Sequence, residues 1–113
     1  MGQVKNESTF KVKLIEHIGN NLVVHFNDAW YQEDIDTLYV LIVASLTDFN
    51  SKEKILGADR ESIRFTWRRD YQFLLNFDCY SQSCWIEGID EQSISQIRIL
   101  LSSLEVGTEL NER

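Results

Sequence analysis

The chain contains no proline, where average usage would place about five or six in this length. That excludes a proline-rich linker or a polyproline recognition segment. Cysteine is also scarce. Two residues, Cys79 and Cys84, are too few for a small disulfide scaffold, and without an export signal they are expected as reduced thiols. The opening stretch, MGQVKNESTF, lacks the apolar core of a secretory signal, so a cytoplasmic location is expected. Gly2 would suit myristoylation, but Asn6 stands where that motif wants serine or threonine. The longest apolar run, Leu38 to Ala44, is far shorter than a membrane span, and no membrane partner is expected. There is no block of lysine or arginine. The densest basic point, Arg64, Arg68 and Arg69, lies close to Glu61 and Asp70. With a net charge of −7, the chain repels phosphate backbones, so no nucleic-acid partner is expected.

What is present suits one globular domain. Hydrophobic residues make up 43% of the 113 positions, which is too many for a disordered chain and enough for one core. Residues 1–8 and 107–113 are polar and expected to fray, leaving a single domain over 9–106. No repeat or low-complexity segment divides it.

Periodicity gives the elements. In FKVKLIEHIGNNLVVHFND, the apolar Phe10, Val12, Leu14 and Ile18 alternate with Lys11, Lys13 and His17, and Leu22, Val24 and Phe26 alternate with Val23 and His25. For both sets to share one face, Ile18 must oppose Leu22 and Leu14 must oppose Phe26. The loop is then Gly19-Asn20-Asn21. Next, Tyr31, Ile35, Leu38, Ile42, Leu46 and Phe49 step by three and four, which predicts a helix capped by Asn27 or Asp28. A buried strand is the rival for Leu38–Val43; the length of the stripe favours helix. A short strand over Glu53–Leu56 and a turn using Gly57 and Asp59 follow. Ile63, Phe65 and Trp67 then alternate with Arg64, Thr66 and Arg68, and Phe73, Leu75 and Phe77 alternate with Leu74, Asn76 and Asp78, predicting a hairpin with Trp67 opposite Phe73 around Arg69-Asp70-Tyr71. Finally Ile94, Ile97, Leu101 and Leu104 form a helical stripe, with Asp90 as its N-cap and Gly107 after its last periodic residue.

The order is therefore β-β-α-β-β-β-β-α. Two amphipathic helices need one sheet face to cover, so the expected fold is α+β: a two-layer sandwich of an antiparallel sheet with both helices packed on one face.

Candidate chemistry is thin. A zinc site needs about four ligands, and only His17 and His25 could join the cysteines. In the predicted hairpin those histidines are diagonal outer-face neighbours, about 7–8 Å apart. The two cysteines are separated by four residues, unlike a redox C-x-x-C, and neither has an activating histidine nearby in sequence. The acidic runs around Glu33 and Asp90 lie where helix starts favour negative charge. No catalytic residue, metal or cofactor is assigned.

A surface remains. If Cys79 opposes Cys84 across Tyr80–Ser83, then Cys84 and Ile86 face inward, and Trp85 and Glu87 face outward. Trp85 then lies beside Asp78, and Glu87 beside Asn76 and Arg64. Tyr80, Leu74, Thr66 and Arg68 join that face, with a cation–π contact from Arg64 or Arg68 to Trp85. A rival register buries the larger Trp85 ring but also turns Glu87 inward. An unpaired buried carboxylate costs more than the ring gains. Trp, Tyr and Arg together have the composition of a protein-contact patch. The candidate partner-binding residues are Trp85, Arg64, Arg68, Tyr80, Glu87 and Asp78.

Three short motifs, Gly57-Ala58-Asp59-Arg60, Asn76-Phe77, and Tyr80-Ser81-Gln82-Ser83 followed by Trp85-Ile86-Glu87, resemble the bacterial family domain of unknown function 3630. The resemblance covers roughly the C-terminal half. It implies a stand-alone cytoplasmic protein of gamma-proteobacteria, about this long, and carries no catalytic residue to transfer. The leading expectation is a small non-enzymatic domain that binds a protein partner, or itself, through the outer sheet face around Trp85. Its rivals are a thiol-dependent enzyme using Cys79 or Cys84, and a small-ligand binder between helices and sheet.

Overall fold

A computed structural model of the chain describes residues 10–57 and 60–108. The expected frayed N-terminus, the end of the C-terminal tail and the Asp59 turn lie outside those residues.

The elements run β1 (Val12–Ile18), β2 (Asn21–Phe26), a 3-10 turn (Gln32–Asp34), α1 (Ile35–Val43), β3 (Phe49–Leu56), β4 (Glu61–Trp67), β5 (Tyr71–Asp78), β6 (Ser83–Gly88), α2 (Glu91–Ile94) and α3 (Ile97–Thr108). The six strands form one antiparallel sheet in the order β1-β2-β6-β5-β4-β3. The fold is the expected α+β sandwich. α1 carries the chain from β2 to the far edge, and the β3–β6 meander walks back until β6 pairs with β2.

One face of the sheet holds the core. Leu22, Ile86, Leu75 and Ile63 pair in a continuous row across four strands and are fully buried. Phe65, Phe73, Phe77 and Cys84 extend it. α1 covers the β4 side, where Tyr39 meets Phe65 with ring centres 6.5 Å apart. α3 packs on β1 and β2. The turn after α1 is tied to α3 where the Ser45 hydroxyl donates to the Ser103 carbonyl at 3.1 Å.

The first hairpin departs from the parity reading. Ile18 opposes Asn21, so the loop is only Gly19-Asn20. Gly19 takes φ +61°, the glycine-first geometry that suits strand twist in tight hairpins. A loop one residue shorter flips the strand. Ile15 is buried, whereas Leu14 and Ile18 are 51% and 54% exposed. A register shift between Val12 and Leu14 then returns Val12 to the core, as a bulge does.

The other two hairpins keep their predicted faces but slide by two residues. Trp67 opposes Tyr71 and Phe65 opposes Phe73; Phe77, not Cys79, opposes Cys84. A slide of two leaves every side chain on its face, so parity cannot detect it.

Both predicted helices are broken or shortened. α1 starts at Ile35 rather than beside Asn27 or Asp28. The Asp34 carboxylate instead accepts from the Tyr31 amide at 2.9 Å, and Asn27 accepts from the Lys11 amide at 2.8 Å. Tyr31 is 62% exposed and Phe49 belongs to β3. At the other end Asp90 does cap, accepting from the Ser93 amide at 2.8 Å. That bond, with the one from the Ser93 side chain, holds the Asp90 carboxyl below its usual range. The helix is interrupted after Ile94 and resumes at Ile97, and its backbone continues through Gly107 to Thr108.

The β4–β5 turn stores strain. Arg68 and Arg69 both take left-handed φ, 55° and 70°, which costs an L-residue about 1–2 kcal/mol. Glycine avoids that strain and loses about 0.5–1 kcal/mol to backbone entropy. Arg69→Gly, at an exposed side chain, is therefore expected to stabilise the protein by up to about 1 kcal/mol. A higher urea midpoint at unchanged slope would show it; a lower midpoint would mean the turn is not strained.

Candidate interaction surface and end cleft

The helices leave the second sheet face uncovered, and Trp85 stands in its middle. Val23, Trp85, Asn76, Ser62 and Ile55 are paired neighbours in one row across five strands. Asn21, Glu87, Leu74, Arg64 and Glu53 form the next row. Trp85 and Glu87 point outward because their neighbours Cys84 and Ile86 are buried in the core, and side chains alternate along a strand.

A polar network holds this face. The Ser62 hydroxyl donates to Asn76 Oδ1 at 2.7 Å. Asn76 Nδ2 and the Trp85 indole N–H both donate to Glu87 Oε1, at 3.3 and 3.1 Å. Asn76 is completely buried although it faces away from the core. Its amide is satisfied by these partners, which avoids the cost of an unpaired buried group. The indole is thus fixed in orientation while the residue stays half-buried, neither sealed nor fully exposed. The Arg60 guanidinium lies 5.6 Å from the ring centre. Arg64 pairs with Glu53 instead, at 2.6 Å. Leu14, Ile18 and Ile55 add exposed apolar area to the same face.

The six predicted residues are not all gathered here. Trp85, Glu87 and Arg64 share the face, but Trp85 pairs with Asn76 rather than Asp78, and Glu87 with Leu74. Asp78 spends its carboxylate on the β5–β6 turn, accepting from the Tyr80 and Ser81 amides at 3.0 and 3.3 Å. Tyr80, 85% exposed, sits in that turn. Arg68 lies beyond the end of β4, with its guanidinium 4.4 Å from the Trp67 ring centre. It is Arg60 that meets Trp85, in place of Arg64 or Arg68. Extending the β4 alternation upstream from Arg64 and Ser62 would have found Arg60.

The two histidines do not meet. His17 pairs with Leu22, a core-facing position, whereas His25 pairs with outward Leu14 and contacts Glu16 at 2.8 Å. The shorter turn puts them on opposite faces. Among the described residues no cluster of three histidine, cysteine or acidic side chains could hold a metal.

At one end of the sheet, beyond β4 and β5, a cleft of about 440 Å³ opens between the 3-10 turn and the strand ends. Tyr31, Glu33, Leu56, Arg60, Glu61, Cys79 and Tyr80 stand around it, over Ile35 and Phe77. Glu61 is an inward-facing carboxylate, 8% exposed. Lys54, also inward on the edge strand, reaches it at 3.4 Å and Asp36 of α1 at 2.9 Å.

Both thiols are free. Burial pushes the Cys84 thiol well up. Burial also raises Cys79, helped by Asp78, Glu61, Glu33 and Asp34. A raised pKa leaves less thiolate, the reactive form. At neutral pH a thiol-reactive disulfide probe should label Cys79 more slowly than free cysteine, and should reach Cys84 only after unfolding. One fast-labelling thiol in the native protein would contradict this.

Comparison with known proteins adds one result. The family model described as "Protein of unknown function (DUF3630)" matches residues 16–105, so the chain belongs to that family. The match reaches from β1 to α3, well beyond the motifs of the C-terminal half. No curated protein matches the chain. No solved structure matches it. Among the described residues no helix is long and apolar enough to cross a membrane.

Proposed function

We propose that this member of the family is a non-enzymatic binding domain that docks a protein partner on its outer sheet face around Trp85. The observation that carries the reading is a tryptophan fixed by Glu87 and left half-buried at the centre of a sheet face that no helix among the described residues covers. A pre-oriented ring loses little freedom on binding, and buried tryptophan and arginine anchors dominate protein interfaces. Arg64, paired with Glu53, and Arg60, over Trp85, share this face with Glu16 and Glu87 and with apolar Leu14, Ile18 and Ile55. Such a mixture of both charges and scattered apolar area suits a non-obligate protein contact. The raised thiol pKa values give the rival thiol enzyme no support, and two free cysteines, one fully buried, suit the cytoplasm.

Trp85→Ala is the direct test. The variant should keep the wild-type circular dichroism spectrum, and its cross-linked partner, or its own dimer in sedimentation, should fall at least about tenfold, as loss of an anchor worth about 1.4 kcal/mol or more implies. Association unchanged in the folded variant would refute the assignment, and a variant that unfolds would make Trp85 a structural residue. A shift seen only in sedimentation would identify the partner as a second copy.

A further inference from the structure

We infer that the end cleft is a binding site for an organic cation with an apolar stem, such as an alkylammonium or the side chain of arginine or lysine. This inference concerns a different part of the molecule from the Trp85 face and stands independently of it.

The cleft has the size of a small-ligand site: about 440 Å³, within the usual range for such pockets. Its floor is apolar, made by Ile35 and Phe77, both almost fully buried by the core. Its rim carries large side chains that the fold does not need to expose. Tyr80 is 85%, Leu56 69% and Tyr31 62% exposed, the three most exposed large hydrophobic residues among those described. Aromatic faces at a rim above an apolar floor are suited to a cation whose stem is hydrocarbon.

The charge around the cleft has one dominant sign. Asp78, Glu61, Glu33 and Asp34 all act on the Cys79 thiol at its edge, and each raises its pKa. These groups favour a positive guest and oppose an anionic one. The nearby cations are already engaged. Lys54 lies between Asp36 and Glu61, and Arg60, though at the rim, has its guanidinium over Trp85. Asp34, Asp78 and Glu61 keep their charge but already hold the Tyr31 amide, the β5–β6 turn amides and Lys54, so direct contact with a cation falls to Glu33 and the rim rings, with the others adding their field.

The test is an amide-resolved NMR titration of the full chain at low ionic strength. Three probes are compared: n-butylammonium, the tripeptide acetyl-Gly-Arg-Gly-amide, and the same tripeptide with citrulline, which keeps the shape of arginine without its charge. The cations should give saturable shifts centred on Gly57, Cys79 and Tyr80, and the citrulline peptide should give none. Tyr80→Ala and Glu33→Gln, both at exposed positions, should each weaken cation binding about threefold to tenfold, the range of one exposed cation–π or charge contact. If the tripeptide binds more tightly than butylammonium, the natural guest is a peptide side chain. If butylammonium binds as well or better, it is a small amine. Equal binding of the citrulline peptide, shifts scattered over surface carboxylates, or full affinity in both rim variants would overturn the inference.

Discussion

Replacing Trp30 with alanine is expected to lower stability by about 3–5 kcal/mol, the cost of deleting a large aromatic from a packed core. Trp30 is 2% exposed, although it lies in the irregular stretch between β2 and the 3-10 turn. Its ring meets Phe77 edge to face at 5.7 Å and Phe26 at 6.4 Å. Its backbone is held from the other side by Gln82, whose side-chain amide accepts from the Trp30 N–H at 3.0 Å and donates to the Trp30 carbonyl at 2.7 Å. The residue therefore fastens the loop before α1 to the β5–β6 turn. Its ring closes the core between β2 and β5. Net stabilities of single domains are about 5–15 kcal/mol, so the variant should be marginal or unfolded at room temperature. Urea unfolding followed by circular dichroism would measure this. Trp30→Phe should lose less, because the aromatic contact is partly kept. A loss below about 1.5 kcal/mol for Trp30→Ala would place the ring outside the core, since so small a loss is typical of volume-conserving swaps and not of deleting a packed aromatic.

Gly88→Ala is expected to cost about 1–3 kcal/mol, the range for forcing an extra methyl into a close-packed site. Gly88 ends β6 opposite Phe73, and its φ is not positive, so the requirement is space rather than conformation. A Cβ there would stand 2.7 Å from the Ile94 amide nitrogen and 3.0 Å from its Cα. α2 would have to move off the sheet. That movement would pull Ser93, which is fully buried, from the Gln72 amide it accepts at 2.8 Å. Faster hydrogen exchange at Gln72 should accompany the loss. Adding Ile94→Ala should not restore stability, because the closest obstacle is backbone; a full rescue would show that only the Ile94 side chain was in the way.

These two residues show where sequence reading stops. Trp30 falls between two periodic stretches, and an isolated aromatic carries no period from which burial could be read. Gly88 sits between a strand and the cap at Asp90, as many linker glycines do. Only the position of α2, docked through Ser93, reveals why a side chain is forbidden there. The cleft is hidden for the same reason. Tyr31, Leu56 and Tyr80 are 25 and 24 positions apart in sequence and come to one cleft only because β3 and β5 end, and β4 begins, beside the start of α1.

By itself the sequence determined which side chains share a face over most of the chain, the number of strands and their succession along the chain, and the need for helices on one side. Those are local properties. Alternation of period two and stripes of period 3.6 follow from backbone geometry, whatever the rest of the chain does. Alternation puts Trp85 and Glu87 on one face, and the cost of burying an unpaired Glu87 carboxylate turns that face outward. Its pairing partner is a different matter, because a slide of two residues preserves every face and only the turn chosen in the folded state sets the register. In β1 even the face depended on the turn, since a loop shorter by one residue at Gly19 reversed Leu14 and Ile15. The tertiary structure decided what is non-local: the insertion of β6 beside β2, the meeting of Arg60 with Trp85, and the convergence of three strand and helix ends around one cleft. Each is settled by how the elements pack together, and no short stretch of sequence contains that information.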